Sequence, residues 1–389
     1  MIQPAKIYEG FTLTFNTTEA CNLACKYCYE VNKTPRDLPL EYAYRFIDMI
    51  LDDPDPIGVV GTSDEWILQQ GVILDFIGGD SLIKPDLLDK IIQYWMVQTT
   101  LRHHKWRSRW RVSISSNGTY LHRPDVQRFI TKYRDVLSLG LSIDGCPELH
   151  DLNRVYPDGR GSLQDILKNW DWYLSVFGES GRRTKSTLAK NSIPYLYDSL
   201  VYLHETLGIT DVSQNFIFED MQLNDIDLKL LDEQLEKCVN YVFQHKDDLY
   251  WAMLDHRFDE ASMFEPRSSC GSGLMPALSI EGYIYPCFRW LPHTQAHTDP
   301  KQLSAGSVFE GLIRKDRFHE VKSQTNAKIS PPKCKSCGVE SACSWCIGGS
   351  YSEFNDFVRQ TYICEATKLQ HKWSSIYWRK YEDSISSGN

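Results

Sequence analysis

The chain has 389 residues, 42 % apolar and 24 % charged, with a formal net charge of −9; this length suits one large domain with a smaller one, and the acidic balance argues against a nucleic-acid partner, whose footprint is basic. No run of 18 apolar residues would span a bilayer, and residues 1–10 lack the basic-then-apolar layout of a secretory signal, so a cytoplasmic protein is expected. Twelve cysteines in a reducing compartment then point to metal or redox chemistry rather than disulfides.

In chain order, a strand is expected over Phe11–Phe15, followed at once by Glu19-Ala-Cys-Asn-Leu-Ala-Cys-Lys-Tyr-Cys-Tyr29. Cys21, Cys25 and Cys28 thus have C-x3-C-x2-C spacing, with Tyr27 before the last. Three close thiolates suit an iron–sulfur cubane with one iron left open. A zinc site would want a fourth ligand nearby, and Cys/His pairs spaced for a finger are absent from the sequence. Helical patterns over Glu41–Leu51, Pro85–Val97, Pro124–Tyr133, Leu163–Phe177 and Tyr195–Leu207 alternate with strands over Val72–Ile77, Val112–Ser115, Leu137–Ile143 and Val212–Phe218. This β/α rhythm predicts a parallel sheet and a partial TIM-like (β/α)6 barrel, with chemistry at the C-terminal strand ends. The basic run Arg102–Arg111, with two tryptophans, reads as a solvated loop, although docking of an acidic peptide is its functional alternative. Cys146 and Cys238 read as small buried apolar residues. An amphipathic helical region over Asp227–His256 would bridge to a tail rich in Gly, Pro, Ser and Cys, the composition of a small metal-stapled domain. The expected division is a barrel over 1–225, a bridge over 226–262 and a cysteine-rich domain over 263–389.

The first cysteine cluster closely resembles the motif of the radical S-adenosylmethionine (SAM) superfamily. The resemblance implies that the amino and carboxylate groups of SAM chelate the open iron, and that reductive cleavage yields a 5′-deoxyadenosyl radical that abstracts hydrogen from substrate. Further stretches resemble the same family's SAM-binding elements. Gly78-Gly79-Asp80 matches its Gly-Gly-Glu element with Asp in place of Glu, and glycine permits close backbone approach. Ser115-Ser-Asn117-Gly matches a strand end, and Ser142-Ile-Asp-Gly followed by Arg154 matches a serine and arginine that hold the SAM carboxylate. Gln214 and Asn215, at the end of a later strand, are expected to reach toward the ribose.

In the tail, Cys270, Gly282 and Cys287 are followed by Cys334-x2-Cys337-x5-Cys343-x2-Cys346 and Cys364. The segment Ser279–Cys287 reads as a hairpin delivering a thiolate. This pattern resembles the SPASM domain, although two residues, Ser344 and Trp345, stand where that family usually has three. The resemblance implies two auxiliary clusters, making three [4Fe–4S] clusters in all. One would be completed by Cys334, Cys337, Cys343 and Cys364, while Cys270, Cys287 and Cys346 belong to the other. One or two structural zinc sites are the alternative for the tail.

SPASM enzymes mostly modify peptides. The resemblance therefore implies maturation of a ribosomally made precursor peptide, with a thioether or carbon–carbon cross-link as product and an external donor of flavodoxin or ferredoxin type. Formylglycine formation of the anaerobic sulfatase-maturing kind is the alternative, but Phe288 occupies the position of that family's base and accepts no proton. With the cluster motif starting at Cys21, no N-terminal leader-recognition domain is expected, and any leader is expected to be read by the barrel, the bridge or a separate protein. A non-catalytic electron carrier or zinc-stabilised binding module would not need the SAM-binding elements.

Overall fold

A computed structural model describes residues 10–219, 221–254, 271–297, 300–340, 343, 345–359 and 362–386. Its strands are β1 (Phe11–Thr18), β2 (Val72–Gly78), β3 (Trp110–Ser116), β4 (Leu137–Leu141), β5 (Arg183–Leu188), β6 (Asp211–Phe216), β7 (Tyr250–Trp251), β8 (Ala277–Leu278), β9 (Tyr283–Tyr285) and β10 (Gly306–Ser307). They form one ten-stranded sheet in the order β10-β9-β8-β1-β2-β3-β4-β5-β6-β7. Neighbours from β1 to β7 are parallel, as required of strands joined by helical crossovers. The result is an open partial barrel of the expected class.

The apolar face of β1, Phe11, Leu13 and Phe15, is fully buried. Its alternate residues Thr14 and Asn16 are buried too, which suits a central parallel strand covered on both faces. Crossover helices begin with Pro85 and Pro124 in their first turn, where the missing N–H costs nothing. The Asp225–Gln244 helix starts with a reciprocal capping box between Asn224 and Asp227.

The structure departs from the sequence reading in four places. Strand β5 was not anticipated: Arg-Thr-Lys-Ser-Thr-Leu is polar on both faces, and only its pairing with β4 and β6 makes it a strand. The expected helix over Leu163–Phe177 is two helices, Leu163–Leu167 and Trp170–Phe177. The bridge helix ends at Gln244, and the chain turns back to add β7 beside β6. The Arg102–Arg111 run is not simply the solvated loop expected: both its tryptophans are core residues, Trp106 2 % exposed and Trp110, which opens β3, 5 %. Cys146 and Cys238 are buried, as expected.

The hairpin expected before Cys287 is present as β8 and β9, turning at Gly282 with φ +87°. It is not a separate sheet. β8 pairs in parallel with β1, Thr14 opposite Ala277 and Phe15 opposite Leu278.

Candidate active site

The cysteine loop leaves the C-terminal end of β1 and is fastened on several sides. Thr17 Oγ1 donates to Ile77 O (3.0 Å) and is hydrogen-bonded to the Ser81 hydroxyl (2.9 Å), and Thr18 Oγ1 donates to Asp37 Oδ1 (2.7 Å). The end of β2 lies directly against the loop: Gly79 N donates to Thr18 O (2.8 Å) and Asp80 N to Ala20 O (3.0 Å). A Cβ on Gly78 would fall 1.8 Å from Thr18 O, and one on Gly79 would fall 2.2 Å from Ala20 O. The close approach for which these glycines are needed is therefore to the chain's own cysteine-bearing backbone.

Cys21 Sγ accepts from Leu23 N (3.4 Å) and lies 3.8 Å from Asn117 Nδ2. Lys33 Nζ lies 3.4 Å from Cys28 Sγ. Burial, reinforced by Asp80, pushes the Cys21 thiol up to about 12. Burial likewise raises Cys25, while Arg154 pulls it back. Loading metal here therefore displaces protons. A single tetrahedral zinc would draw its sulfurs to about 3.8 Å from one another. Among the described residues no three thiols have sulfurs all within 4.8 Å of one another. Three thiols in one short loop, spread wider than one ion needs and contacted by N–H donors, fit a polynuclear cluster.

Asp80 ties the second strand end to the third. Its carboxylate accepts from Ser116 Oγ (2.9 Å), Asn117 N (2.8 Å) and Leu82 N (3.0 Å). Burial raises it to about 6 against the pull of these bonds. Asn117 in turn donates from Nδ2 to Asn22 Oδ1 (3.0 Å) within the cysteine loop. Ser142, at the end of β4, is buried, and its N–H donates to Ser116 O (2.9 Å).

Arg154 is buried and meets Asp144, which lies just beyond β4. Its Nε donates to Asp144 Oδ2 (2.9 Å), the Tyr27 hydroxyl donates to the same oxygen, and the guanidinium lies 5.4 Å from the Tyr27 ring centroid. Burial works against the charge on Arg154, but Asp144, then Tyr27 and Cys25, hold it above its ordinary range. Asp144 Oδ1 also accepts from Thr187 N (2.9 Å). Sequence reasoning found Arg154 and Tyr27 but missed Asp144; the Ile-Asp-Gly turn signal gave its place without its role.

Gln214 lies in β6 with its side chain buried. It shares the buried face of β6 with Val212 and Phe216, opposite the more exposed Ser213 and Asn215. Both ends of its amide are engaged, Nε2 donating to Ser186 Oγ (2.9 Å) and Oε1 accepting from Trp251 Nε1 (3.1 Å).

In the tail, Cys270 lies outside the described residues. Cys334, Cys337, Cys343 and Cys364 come together: Cys337 and Cys364 both act on Cys334, and Cys364 acts on Cys343. Arg359, 2 % exposed, faces them and is held by Glu340 Oε1 (3.1 Å), Ser330 Oγ (3.1 Å) and Cys343 O (3.0 Å). No sequence pattern marked this buried cation. Cys287 and Cys346 each start a helical turn, their sulfurs accepting from Arg289 N (3.5 Å) and Gly349 N (3.3 Å). Arg289 joins the two halves of the molecule. It stacks 4.4 Å from the Tyr29 ring centroid, pairs with Glu219 Oε1 (2.5 Å), and packs on Gly348.

A cavity of about 660 Å3 opens at this junction, lined by Tyr27, Cys28 and Tyr29 on one side and Arg289, Gly349 and Glu353 on the other. Glu219, beyond the end of β6, also lines it.

No family model matches the chain. It is 27 % identical over 202 residues to an uncharacterised protein of Methanocaldococcus jannaschii, a match spanning 52 % of this chain and 60 % of that protein. It is 21 % identical over 376 residues to the AdoMet-dependent heme synthase of Oleidesulfovibrio alaskensis, covering 90 % of this chain and 86 % of the synthase. Among solved structures, native anSMEcpe with bound AdoMet superposes with a TM-score of 0.70 at 15 % identity, covering 96 % of this chain and 99 % of that one. Streptococcus suis SuiB bound to S-adenosylmethionine superposes with a TM-score of 0.54 at 16 % identity, covering 92 % of this chain and 77 % of SuiB. The parallel barrel, the cysteine loop at the end of β1 and the cysteine-rich C-terminus together give the chain the fold of the radical SAM enzymes of SPASM type.

Proposed function

We propose that the chain is a radical SAM peptide maturase that modifies a ribosomally made precursor peptide by forming a thioether or carbon–carbon cross-link. The observation that carries this reading is the cavity of about 660 Å3 shared by the Cys28 loop and the segment after Cys346. A substrate seated there touches both cysteine-bearing parts of the chain at once. Two of the solved structures with this fold, anSMEcpe with Kp18Cys peptide and SuiB with precursor peptide SuiA, hold peptides.

On this reading Cys21, Cys25 and Cys28 hold a [4Fe–4S] cluster, while Asn117, Ser142 and Arg154 hold SAM beside it. When bound, the pair supplies one-electron reductive cleavage and hydrogen-atom abstraction. The chain's own residues do the rest. Lys33 and the Leu23 and Asn117 N–H groups stabilise negative sulfur, and Asp144 fixes the guanidinium of Arg154. Tyr29 and Arg289 close the wall between cluster loop and tail, which limits water at the reacting atoms. In the tail, Cys334, Cys337, Cys343 and Cys364 hold one auxiliary cluster, and Cys270, Cys287 and Cys346 hold a second, giving three in all. The division into barrel (1–225), bridge (226–262) and auxiliary-cluster domain (263–389), a cytoplasmic location and an external flavodoxin or ferredoxin donor belong to the same proposal.

The test is anaerobic incubation of reconstituted protein with dithionite and SAM, followed by chromatography for 5′-deoxyadenosine and mass spectrometry of candidate precursor peptides. Product that disappears in the Cys21/Cys25/Cys28→Ala variant, with loss of two hydrogens from the peptide, supports the reading. Conversion of a cysteine or serine to formylglycine would select sulfatase-type maturation instead. SAM cleavage coupled to a tetrapyrrole and to no peptide would overturn it.

A further inference from the structure

Away from the cavity, on the face of the barrel where the strands begin, the His204, His245 and Asp248 side chains converge. We propose that they form a binding site for one divalent transition-metal ion of the zinc class, independent of the iron–sulfur chemistry. Their ligand atoms all lie within 4.8 Å of one another, the group of this kind among the described residues. His204 Nε2 is 3.4 Å from Asp248 Oδ2, and His245 Nδ1 is 3.7 Å from Asp248 Oδ1. Ligands on a tetrahedral zinc at its usual nitrogen and oxygen distances stand about 3.4 Å apart, so both histidine–carboxylate distances are already near that spacing, and the ligand set, all within 4.8 Å, closes by rotation of the exposed Asp248 carboxylate.

The local backbone builds this convergence. His204 lies in a π-helical turn, Tyr202–Thr206, a widened turn that shifts a side chain out of α-helical register. His245 caps the Asp225–Gln244 helix, and the chain then folds back, Asp248 N donating to His245 O (3.1 Å). That turn returns the Asp248 carboxylate over both rings.

An outer hydrogen-bond relay selects the tautomer a metal requires. The Tyr241 hydroxyl gives its proton to Glu205 Oε1 (3.2 Å) and lies 2.8 Å from His204 Nδ1. With that proton committed, the hydroxyl oxygen accepts from Nδ1–H, and Nε2 presents its lone pair to the cluster. A carboxylate acting through a second group on the far nitrogen of a histidine is the usual support of a metal ligand. Side-chain exposure rises from 11 % at His204 through 34 % at His245 to 61 % at Asp248, so one ligand is fixed in the protein and the last faces solvent, from which the ion enters. Two imidazoles and a carboxylate suit zinc and its neighbours better than magnesium or calcium.

The experiment uses the full chain after iron and sulfide reconstitution, with Co2+ as spectroscopic probe. One bound Co2+ with nitrogen and oxygen ligation, and no thiolate charge-transfer band, is expected. Asp248→Asn, at an exposed position that leaves the fold intact, should abolish this species. Tyr241→Phe should weaken it by about tenfold or more through the tautomer of His204. A Co2+ titration that is the same in wild type and Asp248→Asn, or Co2+ bound only through thiolates, would overturn the proposal. The readout is independent of SAM cleavage, so it stands or falls apart from the function proposed above.

Discussion

Removing the Asp144 carboxylate would leave the Arg154 guanidinium buried without its counter-ion, since Asp144 is 0 % exposed and Arg154 8 %. Breaking a buried pair from one side costs roughly 3–5 kcal/mol. Asp144→Ala should therefore lower the denaturant midpoint strongly, and the double variant with Arg154→Met should recover part of the loss. Equal midpoints for Asp144→Ala and wild type would show that the pair holds nothing together. Asp80 gives a pH signature. Its carboxyl is raised from 3.8 to about 6 by burial, so the native state binds its proton more readily than the unfolded chain. That stabilisation is fully present below about pH 4 and lost as pH rises through about 6. Asp80→Asn should abolish this slope of stability between pH 4 and 6 in the metal-free protein, as read from urea midpoints. At this scale the sequence marked the cysteines, Tyr27 and Arg154 through their spacing. It could not mark Asp144, Arg359 or Glu219, because a single charge carries no pattern until the fold gives it a partner. For Gln214 the strand was legible, but the partners that engage its amide, Trp251 and Ser186, were not.

Elements were legible where apolar periodicity was strong and obscure where it was not. Phe11–Phe15, Val72–Ile77 and Pro124–Tyr133 announce themselves by composition, whereas β5 has one apolar residue in six and depends on its neighbours. The contact between the end of β2 and the cysteine loop is a property of two elements together, and Gly79 is where it can be tested. A methyl there meets Ala20 O at 2.2 Å, while one on Gly140 of β4 finds its nearest atom at 3.9 Å. Overpacking of this kind costs about 1–3 kcal/mol. Gly79→Ala should lose both thermal stability and bound iron, and Gly140→Ala neither. Iron retained in full by Gly79→Ala would mean that the loop holds its shape without β2.

Across the whole molecule, the cysteine inventory was legible as two groups, and in the structure Cys334, Cys337, Cys343 and Cys364 share one neighbourhood. If all three clusters form, anaerobically purified protein should hold about twelve iron atoms, falling to about eight in the Cys21/Cys25/Cys28→Ala variant. Four falling to none, with zinc in the tail, would remove the auxiliary clusters and leave the first in place. What could not be read from the sequence is that the tail's hairpin completes the barrel's own sheet, because a pairing between two-residue and eight-residue strands so far apart leaves no local trace.

That pairing bears on how the protein is made. The strand that leads into the cysteine loop stands between β2 and β8, and Leu278 follows its partner Phe15 by about 260 positions. At roughly 5–20 residues per second, a growing chain on the ribosome spends tens of seconds or less, but no less than about ten, with that edge of β1 bare. An unpaired edge invites another chain. Nascent or truncated molecules that stop before Ala277 should therefore be the ones that associate wrongly, and chaperone demand during synthesis should fall sharply once the hairpin has emerged.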